Sequence, residues 1–144
     1  MRIVIQRTKN ATVTVHGKSV GSSEYGATIL VCIEKNDNNK TVIKAASKIL
    51  NTRMFEDENK KMNLNIQQVA GSILAISQFT LSWRGDKGNR PSFDLSMPPT
   101  QAEILFNELC RELSKEVSVE TGRFGESMEV NLTNIGPVTF VFDF

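Results

Sequence analysis

The chain of 144 residues holds one histidine and two cysteines, and this scarcity removes most side-chain catalytic machinery. With His16 as the sole imidazole, a Ser-His-Asp or Cys-His arrangement has a single candidate base. That base sits beside an expected hairpin turn, where a surface histidine is ordinary. Cys32 and Cys110 fall inside apolar patterns, one strand-like and one helical, and with His16 they lack the spacing of a zinc site. They read as packed free thiols, not as a disulfide. No phosphate-binding loop or dinucleotide fingerprint is present, because Gly17 and Gly21 lack a strand-turn-helix context. Carboxylates cluster at Glu56-Asp57-Glu58 and at Glu126 with Glu129, without a pairing that assigns acid–base work. Neither a metal nor an organic cofactor is expected.

Long apolar runs are missing too. The longest, Ala27 to Ile33, is far too short to span a bilayer. The opening Met1 to Arg7 turns polar too early for a signal peptide, so a cytoplasmic protein without a membrane partner is expected. A net charge of +1 supplies no global field to attract a polyanion. Any nucleic-acid contact must therefore come from a local cluster. The best is Arg84, Lys87 and Arg90, with Lys60 and Lys61 second, and solvated loops explain such charges as readily. The length and an apolar share of 40% suit a single domain over residues 1–144.

Strand patterns dominate the first third. Arg2 to Arg7 and, after a short break, Thr12 to His16 are β-rich, with Gly17-Lys18 as the hairpin turn into Ser19-Val20. Ala27 to Ile33 predicts a strand buried on both faces. Asn36 to Asn39 offers capping residues for a helix carrying Val42, Ala46, Ile49 and Leu50 inward, ending near Phe55. A charged loop follows at Glu56 to Lys61. Ser72 to Ile76 is a second buried strand, and Ser82 to Ser92 a loop. The second helix begins near Pro99, with Thr100 and Glu103 as a capping box and Ala102, Leu105, Phe106, Leu109 and Leu113 as its apolar face. Val117 to Val119, the alternation Met128-Val130-Leu132 and then Val138-Phe140-Phe142 return to strands. The expected architecture is α+β: mainly antiparallel sheet or barrel-like β structure with two main helices.

Two segments do not fit this economy. Ser77-Gln78-Phe79-Thr80-Leu81 puts polar residues at the end of a buried strand, and Asn134-Ile135-Gly136-Pro137-Val138-Thr139 puts Gly-Pro inside one. Proline removes a ladder donor and glycine weakens a strand interior, so sheet stability selects neither. Ordinary strand ends or a functional site are the two readings. An enzyme so poor in side-chain catalysts must lean on backbone groups, hydroxyls and the substrate itself. Hydrolysis of an activated ester meets that condition, needing a placed water and donors aimed at the developing oxyanion. Backbone N–H groups beside Phe79 and Thr80 are candidates.

These two segments are similar to motifs of a known family. The chain resembles the D-aminoacyl-tRNA deacylases, which hydrolyse the ester joining a D-amino acid to tRNA. Their Ser-Gln-x-Thr-Leu motif stands here at Ser77 to Leu81, and their Asn-x-Gly-Pro-x-Thr motif at Asn134 to Thr139. Further agreement lies in Met1 to Arg7, Lys48 to Asn51 with Arg53, Phe55 to Asp57 and Met62 to Leu64. It continues through Lys87 to Phe93 and Thr121 to Gly125 with Met128, so it covers nearly the whole chain.

The resemblance implies a homodimer in which each subunit inserts a cis Gly136-Pro137 peptide into the other's pocket as a chiral wall. Asn134, Val138 and Thr139 would flank that wall in the substrate-binding motif, and Arg7 would brace it. Ser77, Gln78, Phe79 and Thr80 would form the catalytic segment. Phe124, Gly125 and Met128 would hold the 3′-terminal adenosine of aminoacyl-tRNA, whose vicinal 2′-hydroxyl would assist water. Glycyl-tRNA would be a secondary substrate, since glycine has no side chain to exclude. Three positions depart from the family: Ile135 where Asp is common, Thr8 where Val is common, and Glu126-Ser127 in place of Ala-Asp. A deacylase for tRNA mischarged with small L-amino acids, or a non-catalytic nucleic-acid-binding module, are the alternatives.

Overall fold

The computed structural model describes residues 1–85 and 88–144. Strand β1 (Arg2–Val15) is its hub. One edge of β1 is shared between β2 (Lys18–Ser23), which pairs with Ala11 to Val15, and β3 (Gly26–Cys32), which pairs with Arg2 to Thr8. The other edge carries β8 (Glu129–Asp143). Beyond β3 lie β6 (Ser72–Ser77) and β7 (Val119–Thr121), each pairing parallel to its neighbour. The sheet is thus mainly antiparallel, as expected, with two parallel pairs added.

The far edge curls back toward β2. The Ser22 N–H donates to Glu120 Oε2 at 2.8 Å, and a Cβ on Gly21 would lie 2.5 Å from the Thr121 carbonyl oxygen. Only glycine admits this approach, which nearly closes the sheet into a barrel.

Helices α1 (Asn39–Asn51) and α2 (Pro99–Ser114) cover one face. Val42, Ala45 and Ile49 of α1 and Ala102, Phe106 and Leu109 of α2 are buried in one cluster with Ile3, Ile5, Ile29 and Ile73. Ala11, Val13, Leu74 and Ile76 form a smaller core on the opposite side with Leu30, Val130 and Leu132. Each fully buried aliphatic side chain contributes about 1.5–3 kcal/mol. Having a core on both sides explains why β3 reads as an unbroken apolar run. Cys32 and Cys110 are buried free thiols, and burial pushes Cys110 up to about 12.

Several local expectations need correction. No break separates Arg7 from Thr12, since β1 runs through with the Thr8 hydroxyl buried 3.3 Å from that of Thr28. The first turn is His16-Gly17, both left-handed (φ 48° and 73°), and Lys18 is already in β2. Helix α1 stops at Asn51, not near Phe55: Thr52 turns extended and its hydroxyl donates to the Lys48 carbonyl at 2.6 Å. Phe55 starts a small hairpin of β4 (Phe55–Glu56) and β5 (Met62–Leu64), whose tip is the charged loop. The capping box on α2 does not form, because Pro98 takes the cap position and Thr100 already lies inside the helix. A capping box forms on α1 instead, between Asn38 and Thr41. Strand β7 begins at Val119, two residues after the expected start at Val117.

Candidate active site

The Gly-Pro segment is a bulge in β8. Gln6 faces Thr139 and Thr8 faces Asn134, so Ile135 to Val138 have only Arg7 opposite them and must leave the ladder. A proline is tolerated there because no ladder donor is required. The Asn134 side chain clips the base of the bulge: its Oδ1 accepts from the Val138 N–H and its Nδ2 donates to Thr139 Oγ1, both at 2.8 Å.

Arg7 lies beneath the bulge with 4% of its surface exposed. Its Nε donates to the Ile135 carbonyl at 3.1 Å, Nη1 to the buried Met54 carbonyl at 3.0 Å, and Nη2 to Glu56 Oε1 at 3.3 Å. Gly136 has φ +124°, and a Cβ there would meet Val138 Cγ2 at 2.8 Å and Arg7 Nη2 at 2.9 Å. Glycine is therefore required on both conformational and steric grounds. The Gly136-Pro137 peptide is cis, and both residues are exposed.

The Ser77 to Leu81 segment closes a different structure. The Gln78 N–H donates to the Val31 carbonyl at 2.7 Å, after which Phe79–Ser82 coil into a single 3-10 turn. As its first residues, Phe79 and Thr80 direct N–H groups that find no backbone acceptor among the described residues. Gln78 Nε2 donates to the Thr80 hydroxyl at 2.5 Å. Arg84 ties down the end of the turn, with Nη1 3.4 Å from the Leu81 carbonyl and Nη2 2.6 Å from Glu34 Oε1. Of the expected basic cluster, Arg84 is thus engaged within the chain, Arg90 is exposed, and Lys87 lies outside the described residues. His16 is 86% exposed on its turn, 3.6 Å from Glu126, as a surface histidine would be.

Beside the turn lies a cavity of about 610 Å³. Ser77, Gln78 and Phe79 form one wall and Phe124, Gly125 and Met128 another, over a floor of Val31 and Ile76. Phe79, 56% exposed, meets Phe93 edge-on at 4.9 Å. Among the described residues that line the cavity, Glu126 is the one ionisable side chain. The fold therefore unites two of the three residue groups singled out by sequence. Thr80 joins them through Gln78 without lining the cavity.

The third group does not join them. Arg7 pairs with Ala27 and Ser77 with Val31, so the bulge and the cavity are separated by four residues of β3, roughly 13 Å along the strand. Sequence reasoning also missed the far wall of Phe93, Met97 and Pro98, which comes from irregular chain without periodicity.

Comparison with known proteins bears on this arrangement. A family model described as D-Tyr-tRNA(Tyr) deacylase matches residues 4–143. The chain belongs to this family. The D-aminoacyl-tRNA deacylase of Marinomonas sp. (strain MWYL1) is 49% identical over 144 residues, covering 99% of this chain and 100% of the relative. That of Bacillus licheniformis is 47% identical, covering 99% of this chain and 98% of the relative. Among solved structures, the c-Myc DNA Unwinding Element Binding Protein superposes with a TM-score of 0.95 at 37% identity, over 100% of this chain and 99% of the other. A probable eukaryotic D-amino acid tRNA deacylase shares the fold with a TM-score of 0.85 at 16% identity, over 99% and 98% of the two chains. The resemblance carried by the two motifs holds, and with it the chain's place among the deacylases, hydrolases acting on ester bonds.

Proposed function

We propose that this deacylase hydrolyses the ester between a D-amino acid and the 3′-terminal adenosine of tRNA, acting as a homodimer whose Gly136-Pro137 bulges each close the partner's cavity. The observation that carries this reading is the separation of bulge and cavity within one chain. A pocket with orphaned N–H donors has no chiral wall of its own, while an exposed, rigidly clipped bulge has no pocket of its own. Strand β8 adds support. Its outer edge is unpaired among the described residues, and Val130, Leu132, Val138, Phe140 and Phe142 are only half-buried along it. A long edge strand with a half-covered apolar row needs a cover, and a second copy supplies one symmetrically.

The chemistry follows from the donors available. Water attacks the ester carbonyl carbon, and the Phe79 N–H, on the cavity wall, receives the developing oxyanion. One such donor is worth about 2.7–4 kcal/mol at the transition state. The vicinal 2′-hydroxyl of the ribose assists the attacking water, and the 3′-oxygen leaves with a proton. Across the cavity, Gly136 and Pro137 of the other subunit stand where an L side chain would project, while main-chain atoms of the bulge grip the α-amino group. A D side chain points outward, and glycine has nothing to collide, so glycyl-tRNA is also cleaved. Phe124, Gly125 and Met128 pack the adenosine. Among the described residues no helix is long and apolar enough to cross a membrane. We place the protein with its tRNA substrate in the cytoplasm.

The test is the hydrolysis rate of D-tyrosyl-tRNA beside L-tyrosyl-tRNA, with and without chelator. Rapid loss of the D ester alone, unchanged by chelator, is expected. Loss of a small L-amino acid ester such as L-alanyl-tRNA would mean a relaxed wall. Survival of every ester, with binding that falls steeply with salt, would mean a nucleic-acid-binding module.

A further inference from the structure

A second, polar cleft of about 420 Å³ adjoins the cavity, and Phe124 and Glu126 line both. Its other polar walls are Glu103 and Asn107 of α2, with Arg123 and Thr121 from the end of β7. Glu103 and Asn107 stand four residues apart, which puts them on one helix face. The side chains of Glu103, Asn107 and Arg123 are exposed and make no hydrogen bond or ion pair among the described residues. Three unpartnered polar groups of different character thus converge beside the cavity.

We propose that this cleft binds the penultimate nucleotide of the tRNA end, a cytidine, through the edge of its base. This rests on the reading that the terminal adenosine occupies the cavity. Two carboxylates outweigh Arg123, so the cleft disfavours a bare anion and suits a base edge with an amino donor. Cytosine offers an N4 amino group beside the N3 and O2 acceptors. A Glu103 carboxylate accepts from the first, and the Asn107 amide donates to the second. Uracil reverses the pattern, setting its O4 acceptor against the carboxylate. Arg123, at the junction with Phe124, meets the phosphate that links the two nucleotides. Unpaired single-stranded ends are the form of RNA in which base edges are open to such readout.

The test compares three 3′-esters of D-tyrosine: on adenosine, on cytidylyl-adenosine and on uridylyl-adenosine. Cytidylyl-adenosine is expected to lower KM about tenfold relative to adenosine with kcat unchanged, and uridylyl-adenosine to lose most of that gain. Glu103→Ala is expected to abolish the cytidine preference, and Arg123→Gln to shrink the gain for both dinucleotides alike. Ratios are read within each variant, so a loss of folded protein cancels. Equal KM for all three esters, or a cytidine preference that survives Glu103→Ala, would overturn the subsite while leaving the deacylase intact. If none of the esters nor D-tyrosyl-tRNA is cleaved, the functional reading itself fails, and the subsite falls with it.

Discussion

Replacing Arg7 with methionine removes the brace beneath the Gly-Pro bulge while keeping a side chain of similar length. The guanidinium is almost fully enclosed and donates to two main-chain carbonyls, of Ile135 and Met54. Leaving a buried carbonyl without its donor costs about 1–3 kcal/mol. Two such losses, partly relieved by water at the bulge, come to about 2–4 kcal/mol. The third contact, to the half-exposed Glu56, is screened and adds little. For a chain of this size the loss lowers Tm by roughly 7–13 °C. Thermal unfolding at matched protein concentration measures it, since the Tm of any dimer depends on concentration. The same variant loosens the bulge proposed as the wall, so hydrolysis of D-tyrosyl-tRNA is expected to fall at least about tenfold. Arg7→Lys keeps the charge but not the fork, and is expected to recover only part of either loss. An Arg7→Met protein with the parent's Tm and the parent's rate would refute the bracing argument.

Gly136→Ala places a methyl group 2.8 Å from Val138 Cγ2 at a φ of +124°, so loss of about 1–3 kcal/mol in denaturant unfolding is expected. Phe79→Pro deletes one N–H at the start of the 3-10 turn, and should lower kcat by about 10²–10³ relative to Phe79→Ala, which lacks the ring but keeps the donor. Equal rates for the two would remove the backbone from the chemistry. The Asp57 carboxyl is held below its ordinary value of 3.8, chiefly by the Lys61 N–H and then by Asn59 and Asn63. Its contribution to stability is complete above that value and disappears as pH falls through the lowered pKa, so Asp57→Asn should flatten the acid limb of a stability–pH curve. Burial pushes the thiols of Cys32 and Cys110 up, so both should resist alkylation at pH 8 in the native protein and react once it unfolds.

Much of this architecture was legible where one force dominated. Strands β3 and β6 are buried on both faces and announce themselves as apolar runs, and both helices show a single inward stripe. Legibility failed where polar residues are buried or proline intervenes. Arg7 and Thr8 interrupt the apolar alternation of β1, yet both are buried because one braces the bulge and the other meets Thr28. Pro98 displaced a capping box that Thr100 and Glu103 could otherwise have made. In the site, Ser77 to Leu81 and Gly136-Pro137 stood out because neither suits a strand. Their roughly 13 Å separation was invisible, because it depends on the registers of β1 and β6 against β3. The far wall at Phe93 and Met97 depended on where an irregular segment crosses the sheet, pinned by Lys35 N–H to the Leu95 carbonyl and Met97 N–H to the Ile33 carbonyl at 3.0 Å each.

The central claim is that each cavity is completed by the other subunit's bulge, and a mixing experiment tests it most directly. One variant carries a defective bulge (Gly136→Val) and an intact cavity; the other carries a filled cavity (Gly125→Trp) and an intact bulge. Each alone should be inactive on D-tyrosyl-tRNA. Unfolding and refolding them together in equal amounts makes mixed dimers with one complete site, restoring about one quarter of the parent rate. No recovery from a mixture that demonstrably contains mixed dimers would contradict the account, placing wall and pocket within a single chain.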